Sequence, residues 1–245
     1  MRRALAMTLA LAVAACASQP NGPRGPRIAP GANPSAVVTT ELAFARTVRE
    51  EGFAKAYREF ATDSAVIFDE TGPRQVRDWL DGQSGDIGTM SWDPKRILMS
   101  CDGSVAASLG TFDHPLGLTG TYTTIWQRQA NGDYRILIDF PSPGEEWSGL
   151  EDIIETHVAE CDASTPDARA RSYSPVYAEM DRDATAMNVQ SVSGISQDTS
   201  FAWFAGHASP SDRGVMLSVF VDGAWKTFMG QRLEATDPND PGIEE

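Results

Sequence analysis

Three cysteines and three histidines are all that this chain of 245 residues offers as soft metal ligands. The histidines, His114, His157 and His207, stand far apart, and no Cys-x-x-Cys or paired-histidine spacing occurs, so the sequence predicts no metal site. It also lacks a serine nucleophile elbow, a phosphate-binding glycine loop and a Cys-His pairing, and no cofactor is expected. Asp181-Arg-Asp183 lacks the glycine and terminal glutamate of a calcium loop. Basic residues are scarce: 20 Lys and Arg stand against 34 Asp and Glu, a net charge of −14. An acidic body repels phosphate backbones and anionic headgroups, which argues against nucleic acid as a partner. Beyond the first residues no apolar run approaches the roughly 20 residues that span a bilayer.

What is present begins at the N-terminus. Arg2 and Arg3 precede the apolar stretch Ala4 to Val13, and Val13-Ala-Ala-Cys16 follows. A positive segment, a short apolar segment and small residues form a secretory signal. Ending on a cysteine, it resembles the lipobox of bacterial lipoproteins, with residues 1–15 removed and Cys16 carrying acyl chains. That resemblance implies a membrane partner through the lipid on Cys16. Ala17, in place of an aspartate that retains such proteins in the inner membrane, implies the outer membrane facing the periplasm. Loss of Arg2 and Arg3 leaves 18 basic against 34 acidic residues, a net charge of −16 over 230 residues. Residues 16–36 contain five prolines (Pro20, Pro23, Pro26, Pro30 and Pro34) and read as an extended tether of up to roughly 60 Å. In an oxidising compartment Cys101 and Cys161 either form a disulfide or sit as two buried thiols, and the sequence alone leaves both open.

Two units are expected after the tether, at residues 37–143 and 144–234, with a solvated acidic tail at 235–245. Thr40 reads as an N-cap, with Glu41 in the first turn. Phe44, Val48, Phe53, Tyr57 and Phe60 form an apolar stripe interrupted by Gly52, where a kink or a break into two helices is expected. Ser64–Phe68 reads as a strand, and Pro73 as the first turn of a helix reaching Leu80. Two hairpins follow, around Asp102-Gly103 and Asn131-Gly132. If Asn131-Gly132 is the turn, Trp126 faces Leu137, Thr124 faces Asp139 and Ile125 faces Ile138. One side then carries Tyr122, Thr124, Trp126, Leu137 and Asp139, a mixed lining suited to a ligand. The other carries Ile125, Ile136, Ile138 and Phe140.

In the second unit Leu150, Ile153, Ile154 and Val158 repeat at helical spacing, and further helical turns are expected between Val176 and Met187. Ser100-x-Asp102-x-Ser104-x-Ala106-x-x-x-Gly110 then recurs as Ser196-x-Asp198-x-Ser200-x-Ala202-x-x-x-Gly206. Gly132-Asp-Tyr134-Arg is echoed by Gly223-Ala-Trp225-Lys. Matches in the same order predict a divergent, shortened duplication.

A helix pair, strand, short helix and run of antiparallel strands look like the cone-shaped nuclear transport factor 2-like fold. The stretch Gly120-Thr-Tyr-Thr-Thr-Ile-Trp126 through Asn131-Gly132 to Asp139, with Trp92-Asp-Pro94 and Ser100-Cys-Asp-Gly103, resembles the SnoaL-like members of that fold over residues 38–141. The resemblance implies an α+β cone of helices on a curved antiparallel sheet. It hosts both non-catalytic binding modules, for a small apolar molecule or a protein, and proton-transfer isomerases and cyclases. By analogy with ketosteroid isomerase, Asp139 would be the base and Tyr122 a hydrogen-bond donor. Trp126, Thr124, Leu137, Trp79 and Trp92 would line the pocket, although tryptophans in small domains more often belong to the core. Asp139 could instead pair with Arg128 or Arg135, and the sequence offers no clear second pocket acid. The resemblance also implies a homodimer through paired sheets.

Overall fold

The computed structural model describes residues 31–82, 90–114, 117–150, 152–161, 165–170, 172–173, 189–229 and 232–234. The signal segment, Cys16, most of the tether, the helical turns expected between Val176 and Met187 and the acidic tail lie outside the described residues.

Helix α1 (Pro34–Glu51) starts six residues before the expected Thr40 cap. Pro34 is at its first turn, where a missing N–H costs nothing, and the hydroxyl of Thr40 donates instead to the carbonyl of Ala36 (2.9 Å). The 37–143 unit therefore opens inside a helix already begun in the expected tether. Gly52, at φ +88°, breaks the stripe into α1 and α2 (Phe53–Phe60), as its backbone freedom suggests. Strand β1 (Ala61–Asp69) pairs with β2 (Gly72–Gln75), and only then does α3 (Val76–Asp81) begin. Pro73 thus sits in a strand at a sheet edge, which a residue without an N–H tolerates.

Strands β3 (Ser91–Met99), β4 (Val105–Asp113), β5 (Thr119–Arg128) and β6 (Tyr134–Pro143) form an antiparallel meander. With β1, β2 and β7 (Glu155–Val158) they make a seven-stranded sheet in the order β2-β1-β6-β5-β4-β3-β7. The end of the stretch expected to be helical from Leu150 to Val158 is thus β7, running parallel to β3. Ladder pairing with β3 overrides its apolar spacing, and Leu150, Ile153 and Ile154 remain exposed. Because β7 follows residue 144, the expected boundary at 143/144 does not separate two sheets.

One face of this sheet carries Ile97, Met99, Ala106, Trp126 and Ile136 against the helices. The other carries Leu98, Leu109, Ile125, Ile138 and Phe140 against a second sheet. That sheet contains β8 (Gln190–Ile195), β9 (Phe201–Ser209), β10 (Asp212–Val221), β11 (Ala224–Met229) and β12 (Arg232–Glu234), ordered β12-β11-β10-β9-β8. Phe201, Trp203, Leu217, Val219 and Phe228 supply its half of the shared core. The architecture is α+β in three layers: helices, large sheet, small sheet. The face of the large sheet opposite the helices is covered by the chain's own second half.

The sequence echo is a structural repeat. The Ser100 hydroxyl donates to Asp102 (2.7 Å), and the Ser196 hydroxyl donates to Asp198 (2.7 Å). Val105 and Phe201 each donate a backbone N–H to the corresponding serine. Gly103 and Thr199, at φ +66° and +58°, occupy the same left-handed position. The two turns meet in a reciprocal way: Cys101 N–H donates to the Ser200 hydroxyl (2.9 Å), and Gln197 N–H donates to the Ser104 hydroxyl (3.4 Å). Such exchange between equivalent positions is the signature of an isologous contact. The equivalent turns of the two meanders therefore contact each other reciprocally within one chain. Cys101 and Cys161 are joined in a disulfide, with Cα atoms 5.3 Å apart, beside this contact.

Candidate functional site

The helix–sheet layer contains two carboxyl groups, each held by a tyrosine. Asp139, on β6 opposite Thr124 as the hairpin register predicted, accepts hydrogen bonds from the Tyr57 hydroxyl and the Thr124 hydroxyl (2.9 Å). Glu41, on α1, accepts one from the Tyr122 hydroxyl. A Ser108 hydrogen bond also favours the Glu41 carboxylate, and Ser108 accepts the Trp126 indole N–H (2.9 Å). Burial raises the Asp139 pKa above the ordinary carboxylate value, against hydrogen bonds from Tyr57, Thr124 and the Phe140 backbone that lower it. Burial also pushes Glu41 up to about 7, with hydrogen bonds lowering it and the charges of Asp139 and Asp93 raising it further. Glu41 is only 3% exposed, and its second oxygen has no partner among the described residues. Protonation is the inexpensive way to leave such a carboxyl in a dry core.

Neither arginine expected to neutralise Asp139 does so. Arg128 donates to the carbonyls of Gly31 and Asp102, and Arg135 to that of Ala61. Tyr122 reaches Glu41 as its donor. The second acid that the sequence reading did not find is Glu41. Its signal was present: Val37, Glu41, Phe44 and Val48 repeat at helical spacing, placing one carboxyl on the buried face of α1. Assigning Glu41 to a first turn obscured it.

Leu137 is a correction. A bulge between Ile125 and Trp126 pairs Trp126 with Ile136, so Leu137 is the extra residue. It leans with Ile138 toward the small sheet, while Ile136 takes its place among the helices. Trp79 and Trp126 are buried in the aromatic interior, and Trp92 is packed against it. Phe44, Phe53 and Tyr57 complete that cluster, with ring centroids 4.7 Å apart for Phe53–Tyr57 and 5.3 Å for Phe53–Trp79. Tyr57, which donates to Asp139, belongs to this buried cluster. The second repeat does not reproduce the set: its registers place Phe204, Gly214, Met216 and Ser218 where the first has Ser108, Tyr122, Thr124 and Trp126.

An open cleft of about 220 Å³ lies at the other edge of Tyr57, between α2, β1 and α3. Its lining combines the apolar Tyr57, Ala61, Val76 and Leu80 with the polar Arg58, Thr62, Asp63, Arg77 and Asp81. Among the described residues no cluster of three or more His, Cys, Asp and Glu side chains could hold a metal ion.

No family model and no curated protein matches the chain. Among solved structures it is similar to a conserved protein from Planctomyces limnophilus, at 17% identity over 44% of this chain and 95% of that one (TM-score 0.36). It is also similar to a protein provisionally named a ketosteroid isomerase from Parabacteroides distasonis, at 15% identity over 46% and 88% (TM-score 0.37). A nuclear transport factor 2-like superfamily protein from Salmonella enterica matches at 11% identity over 49% and 95% (TM-score 0.37).

Proposed function

We propose that this protein is a lipid-anchored envelope module that binds a small apolar or amphipathic molecule without transforming it. The observation that carries the reading is the open cleft beside Tyr57, next to an interior where both oxygens of Asp139 already accept hydrogen bonds. A general base must reach a substrate proton within hydrogen-bond distance. Asp139 instead accepts from two side-chain hydroxyls, one of them on a ring of the buried cluster. The isomerase or cyclase reading draws support from the raised Asp139 pKa and the absence of an arginine partner among the described residues, but it requires Tyr57 to yield its place to a substrate. A module at the cleft requires no rearrangement.

The cleft is tested by Asp81→Trp, a change at its exposed rim that fills the mouth without disturbing the core. Screening the full chain against small amphipathic molecules by protein-detected NMR should show ligands that move resonances of α2, β1 and α3, and this variant should abolish those shifts. Ligands that bind the variant unchanged would place the site elsewhere.

The anchor rests on the lipobox-like Val13 to Cys16, and a disulfide suits an oxidising periplasm. Each buried acyl methylene contributes about 0.8 kcal/mol, so several chains on one cysteine hold firmly. Cys16→Ala should move the protein from the membrane fraction to the soluble fraction; retention in the membrane fraction would refute the lipid anchor.

A further inference from the structure

The cleft has a polarity that points to a class of ligand. Arg58 makes no ion pair or hydrogen bond among the described residues, and Arg77 makes one hydrogen bond, to the carbonyl of Asp63 (3.0 Å). Both guanidiniums therefore retain unused donors in the lining of the cleft. Thr62, beside them, has a hydroxyl with no partner among the described residues. The same lining includes the ring of Tyr57 and the aliphatic side chains of Val76 and Leu80. A volume of about 220 Å³ equals roughly seven water molecules, enough for one ring with a short side arm.

We propose that the cleft takes a small aryl carboxylate, its carboxylate on Arg58 and Arg77 and its ring against Tyr57, Val76 and Leu80. This rests on the reading of the cleft as the binding site. Guanidinium is suited to the head group because its planar fork presents paired donors to a carboxylate. The carboxylates of Asp63 and Asp81 on the same rim balance the two arginines. A second negative charge on the ligand would meet them without further cations, so a monoanion is preferred. The ring supplies the apolar area that a free inorganic anion lacks, which separates this site from a simple anion patch.

Phenylacetate, 2-phenylethanol and 2-phenylethylamine share a ring and differ in the charge of the head group. Each is titrated into the full chain at physiological salt and followed by NMR shifts in α2, β1 and α3. Phenylacetate should bind at least tenfold tighter than the alcohol, and the amine weakest. Arg58→Ala together with Arg77→Ala, both at exposed positions, should reduce phenylacetate to the affinity of the alcohol while leaving the alcohol unchanged. Equal binding of acid and alcohol in the cleft would overturn the head-group assignment and leave the binding site standing, as would preference for the amine. If none of the three moves these resonances, the assignment and the reading beneath it both fail.

Discussion

Acidification from pH 7 to about 5.5 should stabilise this protein through Glu41, opposite to the effect of a salt-bridged carboxylate. The Glu41 pKa rises from 4.5 in the unfolded chain to about 7 in the fold, chiefly through burial. Between those values the folded state binds the proton and the unfolded state does not, so stability falls as pH rises. The stabilising term is complete below about pH 4.5 and exhausted above about pH 7. Its full size is roughly 3 kcal/mol, of which about 2 kcal/mol lies between pH 7 and 5.5. Asp139, also raised by burial, acts in the same direction. His157 opposes it, because burial and Arg96 lower its pKa and protonation on acidification favours the unfolded chain. Comparison with Glu41→Gln isolates the Glu41 part, since the amide oxygen still accepts from Tyr122. Urea unfolding at pH 5.5, 6, 7 and 8 should show the wild type losing stability relative to this variant as pH rises. Parallel profiles would mean that Glu41 is ionised in the core.

Removing the disulfide should cost more than that. The bond between Cys101 and Cys161 closes a loop of 60 residues in sequence separation, and chain entropy assigns such a loop about 4 kcal/mol. The cross-link joins the turn after β3 to the chain just past β7. There Ala159 N–H donates to the Met99 carbonyl (2.9 Å), and Glu160 N–H to the Phe220 carbonyl (2.8 Å). It thus secures the point where the two sheets meet. Cys101→Ser with Cys161→Ser, or the wild type under reductant, should lose about 4 kcal/mol in urea unfolding. A loss under 1 kcal/mol would show that the unfolded chain is already constrained there. Small serine side chains at both positions keep the comparison free of overpacking.

Much of the architecture was legible because local chemistry dictates it. Gly52 divided the helix pair, and Asp102-Gly103 and Asn131-Gly132 marked the two turns of the meander. Ser196 to Gly206 disclosed the repeat because the Ser–Asp turn uses hydrogen bonds two to five residues apart. Readings failed where distant chain decides the outcome. Pro73 and Glu155–Val158 suited helices locally, yet both lie in strands because sheet edges were available to pair with them. Leu137 was misplaced by the bulge at Trp126, a single-residue offset that reverses faces. Glu41 was hidden by a helix start placed too late.

The sequence by itself determined the acidic charge, the cysteine inventory, the lipobox-like segment, the order of the meander strands and the pairing of Thr124 with Asp139. These follow from composition and from contacts close along the chain. Tertiary structure decided that the second repeat covers the first, that Cys101 meets Cys161, and that Asp139 meets Tyr57 while Glu41 meets Tyr122. The two tyrosine–carboxyl pairs join residues about 80 positions apart. No periodicity encodes that separation, because it is set only when α1 and α2 settle on the sheet and exclude water from both carboxyls.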